Sequence, residues 1–343
     1  MTTSTDGGAA AIRPRVATRG VRVPPQGEGG FDVTWYPVCL SSAVRPGDVK
    51  GLDFLDGRVV VFRGDNGVVT VMSAYCRHFG ADLSGGKVIG NQLRCPYHHW
   101  QYGQDGACKH IPIGGPIPKK ARQFVFPTVE KWGIVFAFNG DSPTFELPDF
   151  PYPSETLRYR AFGTIPCKLD IALQATNNVD FQHLIVLHGL DIEEYPDVKF
   201  HEYGLSQRGL VWRDNLRGAG ARSTVDVVLA GTNILMFGGD LAGITASMAI
   251  SGTPLTRRGI SEVYTVVAAP TSQGGPEAEE ATQTMLSNLE RWAHALMIED
   301  DLPITNNISF RIDNALRQDR YVARMVRYLQ TYPRAHPSAD FIK

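Results

Sequence analysis

The stretch that most limits what this chain can fold into is Cys76-Arg77-His78, followed after sixteen residues by Cys95-Pro96-Tyr97-His98. Each Cys-His pair is separated by one or two residues, so a single tight loop can turn both side chains toward one metal centre. The mixture of ligands narrows the choice further. A [2Fe–2S] cluster can be held by two thiolates on one iron and two imidazoles on the other. C-x-H with C-x-x-H supplies that set, each loop giving one ligand to each iron. A structural zinc site with two Cys and two His is the other reading of the same spacing.

A chain of 343 residues is long enough for two domains with cores of their own. Lysine and arginine total 34 against 35 acids, a net charge of −1. That balance argues against a nucleic acid or an anionic membrane as partner. Five cysteines are present, and setting aside Cys76 and Cys95 leaves Cys39, Cys108 and Cys167. An odd, scattered set of three suits reduced thiols in a cytoplasmic protein, each a small buried hydrophobe. Residues 1–30 are rich in Gly, Ala, Thr and Pro and lack an apolar h-region, so they read as a flexible arm and not a signal peptide. No apolar run approaches the roughly eighteen residues of a membrane span.

From Phe31 to about Gly140 the pattern is short strands with turn punctuation. Residues 58–62 and 68–72 flank Asp65-Asn66-Gly67, and a second hairpin turns at Gly90-Asn91. Gly80, Gly85 and Gly86 crowd the interval between the two ligand loops, either for close backbone approach or as ordinary turns. Residues 133–138 read as a closing buried strand. Residues 141–154 carry Pro143, Pro148, Pro151 and Pro153 and mark a domain boundary.

Beyond the linker, a mostly helical segment from near Asp170 contains Asn177, Asp180, His183 and His188. Two histidines with an acid suit a mononuclear iron site of the 2-His-1-carboxylate kind. On a straight α-helix His183 and His188 would lie about 140° apart. They share an ion only if the helix ends or widens between them, with Gly189 a plausible terminator. Strands are expected around 225–229, 234–237, 244–250 and 261–269. A long helix then opens at Gly275-Pro276, with an apolar stripe of Ala278, Ala281, Met285, Leu289, Trp292 and Leu296. At its end stand Glu299, Asp300 and Asp301, and helical phase favours Glu299 or Asp300 as the acid facing inward.

Cys76-Arg77-His78-Phe79-Gly80, Gly85-Gly86, Cys95-Pro96-Tyr97-His98 and Trp100 resemble a Rieske domain. Respiratory Rieske proteins carry an extra cysteine in each loop, joined as a disulfide. Ala81 and Tyr97 stand at those positions here, so that disulfide cannot form. His99, where many relatives have glycine, is assigned to the loop surface, and His110 to surface or packing. N-x-x-D-x-x-H-x-x-x-x-H over residues 177–188 resembles the iron-binding segment of Rieske non-haem iron oxygenase α subunits. The resemblance makes His183 and His188 iron ligands and Asp180 a bridge to a cluster histidine of the neighbouring subunit. It favours Asp301 as third ligand, because Asp301-Leu302-Pro303-Ile304 reproduces the family's D-x-x-I pattern, although Thr305 replaces a common tryptophan.

The resemblance spans about residues 31–332 and implies an α+β chain: an N-terminal all-β Rieske [2Fe–2S] domain (31–140), then a helix-grip catalytic domain (155–343) with an antiparallel sheet and long helices. The segment C-R-H-x-G-x-D-L-S-x-G is most similar to 3-ketosteroid 9α-hydroxylase oxygenase components and related monooxygenases, and a C-terminal segment with Asp319, Arg327, Tyr328 and Tyr332 is similar to relatives acting on bulky ring systems. The implied function is a terminal oxygenase with a Rieske cluster and mononuclear Fe(II), hydroxylating a small, bulky, hydrophobic substrate with O₂. Electrons would come from NAD(P)H through a separate reductase or ferredoxin, since no nucleotide fingerprint occurs in the chain, and the family suggests a homotrimer. A cis-dihydroxylase or a demethylase of an aromatic substrate is the runner-up, and a stand-alone electron carrier or a lipid-binding helix-grip protein is the other class.

Overall fold

The computed structural model describes residues 22–215, 220–241, 243–271 and 275–343. Most of the expected N-terminal arm, residues 1–21, lies outside them. Residues 22–30 are tied down rather than loose. Arg334 donates to the main-chain oxygens of Pro24, Pro25 and Glu28, and buried Gln26 accepts from the Asp32 N–H.

The first half is built from three small antiparallel sheets. Val49–Phe54, Gly57–Arg63 and Val69–Ser73 form one, with Gly67 supplying the positive φ that its hairpin requires. Lys87–Ile89, Gln92–Arg94, Gln101–Gly103 and Cys108–His110 form the second, whose first hairpin turns at Gly90. The third sets Ile134–Phe138, every residue of it buried, between Thr128–Lys131 and Trp35–Leu40. The proline-rich residues 141–154 are more than a spacer, because Leu147 and Phe150 are buried in a cluster with residues of both halves.

The second half is an eight-stranded antiparallel sheet. Its order is Leu157–Cys167, Ile260–Pro270, Ile244–Leu255, Ile234–Leu241, Ala221–Ala230, Gly204–Asp214 and Leu190–Glu194, with Asp197–His201 also paired to Gly204–Asp214. Helix Pro276–His294 lies against this sheet, and Pro occupies its first turn. Its fully buried row is Thr282, Leu286, Leu289 and Ala293; of the expected stripe Leu289 is in that row, Met285 and Trp292 pack beside it, and Ala281 is exposed. Thr282 escapes an apolar pattern because it is polar, yet its hydroxyl donates to the Ala278 carbonyl one turn back at 3.0 Å and so can be buried.

The chain then returns to its beginning. Helix Arg320–Thr331 leads to Arg334–Ala335, which pair with Phe31–Asp32, and Ile342 is fully buried in the core of the first half. Tyr328 and Tyr332, which the resemblance linked to ring-shaped substrates, are structural ties. Their hydroxyls donate to Gly231 O at 2.9 Å and Val33 O at 3.1 Å. Asp319 accepts from the Gln182 side chain.

Buried polar groups tie the C-terminal strand to the first half, and Asp32 reaches on to the second. Asn139 donates to the carbonyls of Phe31, Asp32 and Ala335 at 3.0, 3.2 and 2.9 Å. Asp32, 1% exposed, pairs with Arg334 at 2.9 Å and accepts from Thr232 at 2.7 Å. Burial pushes the Asp32 carboxyl up, and Arg334 and Thr232 counter that. Removing the shared donor leaves buried acceptors short of a partner. Asn139→Ala should therefore lower unfolding free energy by about 3 kcal/mol in a urea titration. A loss below about 1 kcal/mol would show that the attachment of the C-terminal strand does not depend on it.

Candidate metal centres

The two ligand loops are shaped by their own main chain. Gly80 N–H bonds to Cys76 O at 2.8 Å, Cys76 N–H to Ala81 O at 2.9 Å and Cys95 N–H to Trp100 O at 2.8 Å. Of the three crowded glycines, Gly80 needs a φ of +76°, and a side chain on Gly86 would strike the Arg94 carbonyl. A Cβ on Gly85 would meet Pro96 only at ordinary contact distance, so that glycine is a simple turn residue. His99 is exposed with a φ of +59°, a left-handed conformation that explains glycine at such a position, and His110 is exposed on a short strand.

Cys76 and Cys95 are 3% and 1% exposed, and the rings of His78 and His98 lie 4.7 Å apart. The two thiols act on each other. Cys95 is held low, to about 6, and Cys76 is held high, each chiefly by the other sulfur. Tyr102 places its hydroxyl 3.1 Å from Cys76 Sγ. His78 is stacked between Phe79 and Trp100, with centroids 3.9 and 4.4 Å away. Among the described residues nothing hydrogen-bonds its buried Nδ1. An aimed, buried, unpartnered imidazole nitrogen beside two buried thiols fits a metal cluster and is costly without one. Burial pushes the remaining thiols up, Cys39 to about 11 and Cys108 and Cys167 in the same direction, which suits inert packing residues.

In the second half, Asp180 caps helix Phe181–Val186 by accepting the His183 main-chain N–H at 3.1 Å. Three residues before His183, the same carboxylate is also spaced to accept from the imidazole. The ring instead turns its Nε2 to within 2.8 Å of His188 Nε2. The helix stops at Val186 and Gly189 reverses the chain with a φ of +64°, which overcomes the angular separation of the two histidines.

Asp301 completes the group, its Oδ1 3.2 Å from His183 Nε2 and 3.3 Å from His188 Nε2. The ligand atoms of His183, His188 and Asp301 all lie within 4.8 Å of one another. Helical phase pointed to Glu299 or Asp300 because it assumed α geometry to the end of the helix. Ala295–Asp301 are instead a π-helix, with wider turns, and Leu296, Met297, Asp301 and Leu302 face the same cavity. Burial disfavours the Asp301 carboxylate, but His183 and His188 hold it below the usual range. Burial likewise disfavours a charged His188, and Asp301 and Asp300 outweigh it to raise that imidazole. Two imidazole nitrogens and a carboxylate converging in a buried site fit a divalent iron better than they fit each other.

This group lines a cavity whose walls are largely apolar. Pairs two residues apart on one strand, such as Leu210 with Trp212, Leu235 with Phe237 and Met248 with Ile250, line the same cavity. Gln174, Asn178 and Asn233 add polar atoms that sequence reasoning passed over. The period of two was readable, but both faces of these strands are rich in apolar residues, so it did not say which face is hollow.

The contact of Tyr102 with Cys76 carries a consequence for a bound cluster. A hydrogen bond to a ligating sulfur stabilises the more negative, reduced state. Tyr102→Phe should lower the reduction potential measured by a spectroelectrochemical titration while leaving the cluster content unchanged. An unaltered potential would mean that this hydroxyl does not act on the sulfur.

A family model described as "Rieske [2Fe-2S] domain" matches residues 34–124. Cholesterol 7-desaturase of Xenopus laevis is 38% identical over 120 residues, covering 34% of this chain and 26% of that protein. The oxygenase component of 3-ketosteroid-9-alpha-monooxygenase from Rhodococcus rhodochrous is 34% identical over 119 residues, 35% of this chain and 31% of the relative. The chain spans between about a quarter and a half of the length of such curated relatives. Among solved structures, NdmB of Pseudomonas putida CBB5 is similar with a TM-score of 0.62 at 16% identity, covering 91% of this chain and 93% of that one. Dicamba monooxygenase bound to 3,6-dichlorosalicylic acid gives 0.66 at 19% identity, covering 88% and 97%. Among the described residues no helix is long and apolar enough to cross a membrane. Residues 34–124 thus match the Rieske [2Fe–2S] domain, and the chain as a whole has the fold of dicamba monooxygenase and NdmB.

Proposed function

We propose that the chain is the terminal oxygenase of a multicomponent system that hydroxylates a bulky, largely apolar molecule. The convergence of His183, His188 and Asp301 at one end of an apolar cavity carries this reading. A protein that only relays electrons has no use for a second ligand set beside a cavity. A lipid-binding protein on the same fold has no use for buried ligands of either kind.

In this reading Cys76 and Cys95 hold one iron of the cluster and His78 and His98 the other, while His183, His188 and Asp301 hold a mononuclear Fe(II). Bound there, the cluster supplies single electrons and the iron supplies a site for O₂ next to substrate. The protein's part is positional. Its apolar walls hold the substrate by excluding water, and His183, His188 and Asp301 would hold the iron with only three protein ligands. The domain boundary falls in residues 141–154, and a separate NAD(P)H-dependent reductase or ferredoxin delivers electrons to a cytoplasmic enzyme. Relatives named for cholesterol and 3-ketosteroids favour a steroid-like or polycyclic substrate. The solved neighbour bound to dicamba favours an aromatic substrate, which belongs to the second reading, a demethylase or cis-dihydroxylase.

Asp180 is the bridge in a homotrimer of this chain. Apolar side chains stand exposed at both centres, Phe79 and Tyr97 beside the cluster loops and Ile185 and Val186 on the helix that bears His183. A head-to-tail, closing interface would cover the first pair with the second. The Asp180 carboxylate, anchored by the His183 N–H, would then face His78 or His98 of the adjoining chain. Asp180→Asn should keep both metal contents while turnover falls about 10- to 100-fold. A variant with full turnover, or one that loses its iron, contradicts the bridging role.

Reconstitution with an NAD(P)H-dependent reductase under ¹⁸O₂ and a panel of steroids, polycyclics and aromatics tests the function. One labelled oxygen in the product supports hydroxylation and two support dihydroxylation. A reductase-dependent iron centre that oxidises nothing in the panel, yet binds fatty acids tightly in the cavity, would sink it.

A further inference from the structure

Both nitrogens of His188 are engaged, each by a different one of two consecutive acids. Its Nδ1 lies 2.9 Å from Asp300 Oδ2, and its Nε2 lies 3.3 Å from Asp301 Oδ1. The imidazole is 5% exposed, and the Asp300 side chain is 15% exposed. A neutral histidine binds metal through the nitrogen that carries no proton, and the partner of the other nitrogen decides which one that is. A carboxylate at Nδ1 accepts its N–H and leaves the Nε2 lone pair facing His183 and Asp301. We propose that Asp300 is the positioning residue of the second metal centre, fixing His188 in the Nδ1–H tautomer and aiming its Nε2 at the metal. This rests on the reading of His183, His188 and Asp301 as ligands.

The division of labour follows from the π-helix Ala295–Asp301. Its wide turns bring both acids to the histidine side, so neighbouring carboxylates can bracket one ring. Asp300 is a poor ligand from where it stands, since its oxygen meets the ring nitrogen that faces away from His183. The same placement makes its effect indirect and separable from that of Asp301. Asparagine at 300 keeps an oxygen that can accept the Nδ1–H, whereas alanine keeps nothing.

The test uses full-length protein with its cluster in place, stripped of mononuclear iron and titrated anaerobically with Co(II), whose visible absorption reports ligand geometry. Asp300→Ala should weaken Co(II) binding about 10- to 100-fold and change the absorption bands, with the cluster spectrum intact. Asp300→Asn should stay within about tenfold of the parent and keep its bands, a rescue that a purely structural role would not give. Asp301→Ala should abolish binding. Equal Co(II) affinity and bands in Asp300→Ala would overturn the proposal and leave the metal centre standing. Binding retained in Asp301→Ala but lost in both Asp300 variants would make Asp300 the ligand instead. A parent protein that binds no Co(II) would overturn the metal centre itself, and this inference with it.

Discussion

The second half of the molecule is arranged around one unfavourable encounter: two imidazole nitrogens 2.8 Å apart with a buried carboxylate about 3 Å from each. Lone pairs crowded in an apolar cavity are costly unless a cation or protons sit among them. The local departures from regular structure all serve that crowding. The helix of His183 ends three residues beyond it, Gly189 turns left-handed, and the long helix widens into a π-helix as it reaches Asp301. π segments and abrupt helix ends are uncommon in ordinary cores and recur where side chains must be re-aimed. A divalent metal removes the conflict.

The first half solves a related problem with shorter pieces. Two loops of a few residues bring two thiols and two imidazoles together because each loop closes on its own main chain, while Gly86 lets the second loop approach the first. The C-terminal strand is held in place by Asn139, Asp32 and Arg334, all buried or nearly so, and Asp32 also accepts from Thr232 of the second half. That strand pairs with Phe31–Asp32. The chain end is thus part of the first half, and sequence order hides this because the contact joins residues some 300 positions apart.

The sequence was legible where chemistry or turn geometry is local. The Cys-His pairs, the Asn66-Gly67 hairpin, the Gly275-Pro276 helix start and four strands of the large sheet all announce themselves within a few residues. It was less legible where geometry departs from the regular. The phase argument chose Glu299 or Asp300 because nothing in Ala295–Asp301 marks it as π-helical, and the short motif Asp301-x-x-Ile304 pointed to the acid that faces both histidines. The stripe on Pro276–His294 was narrower than the buried face, which also takes in Leu286, Ala293 and a threonine whose hydroxyl is satisfied one turn back. Asp180 shows the limit of spacing alone: three residues before His183 is right for a helix cap as well as for a ring contact, and the main-chain N–H took it.

The account as a whole claims two redox metal centres in one chain, and elemental analysis of the purified protein tests that claim most directly. It predicts three irons and two acid-labile sulfides per chain. One zinc with no sulfide would contradict both centres, and two irons with two sulfides, unchanged after anaerobic loading with Fe(II), would contradict the second.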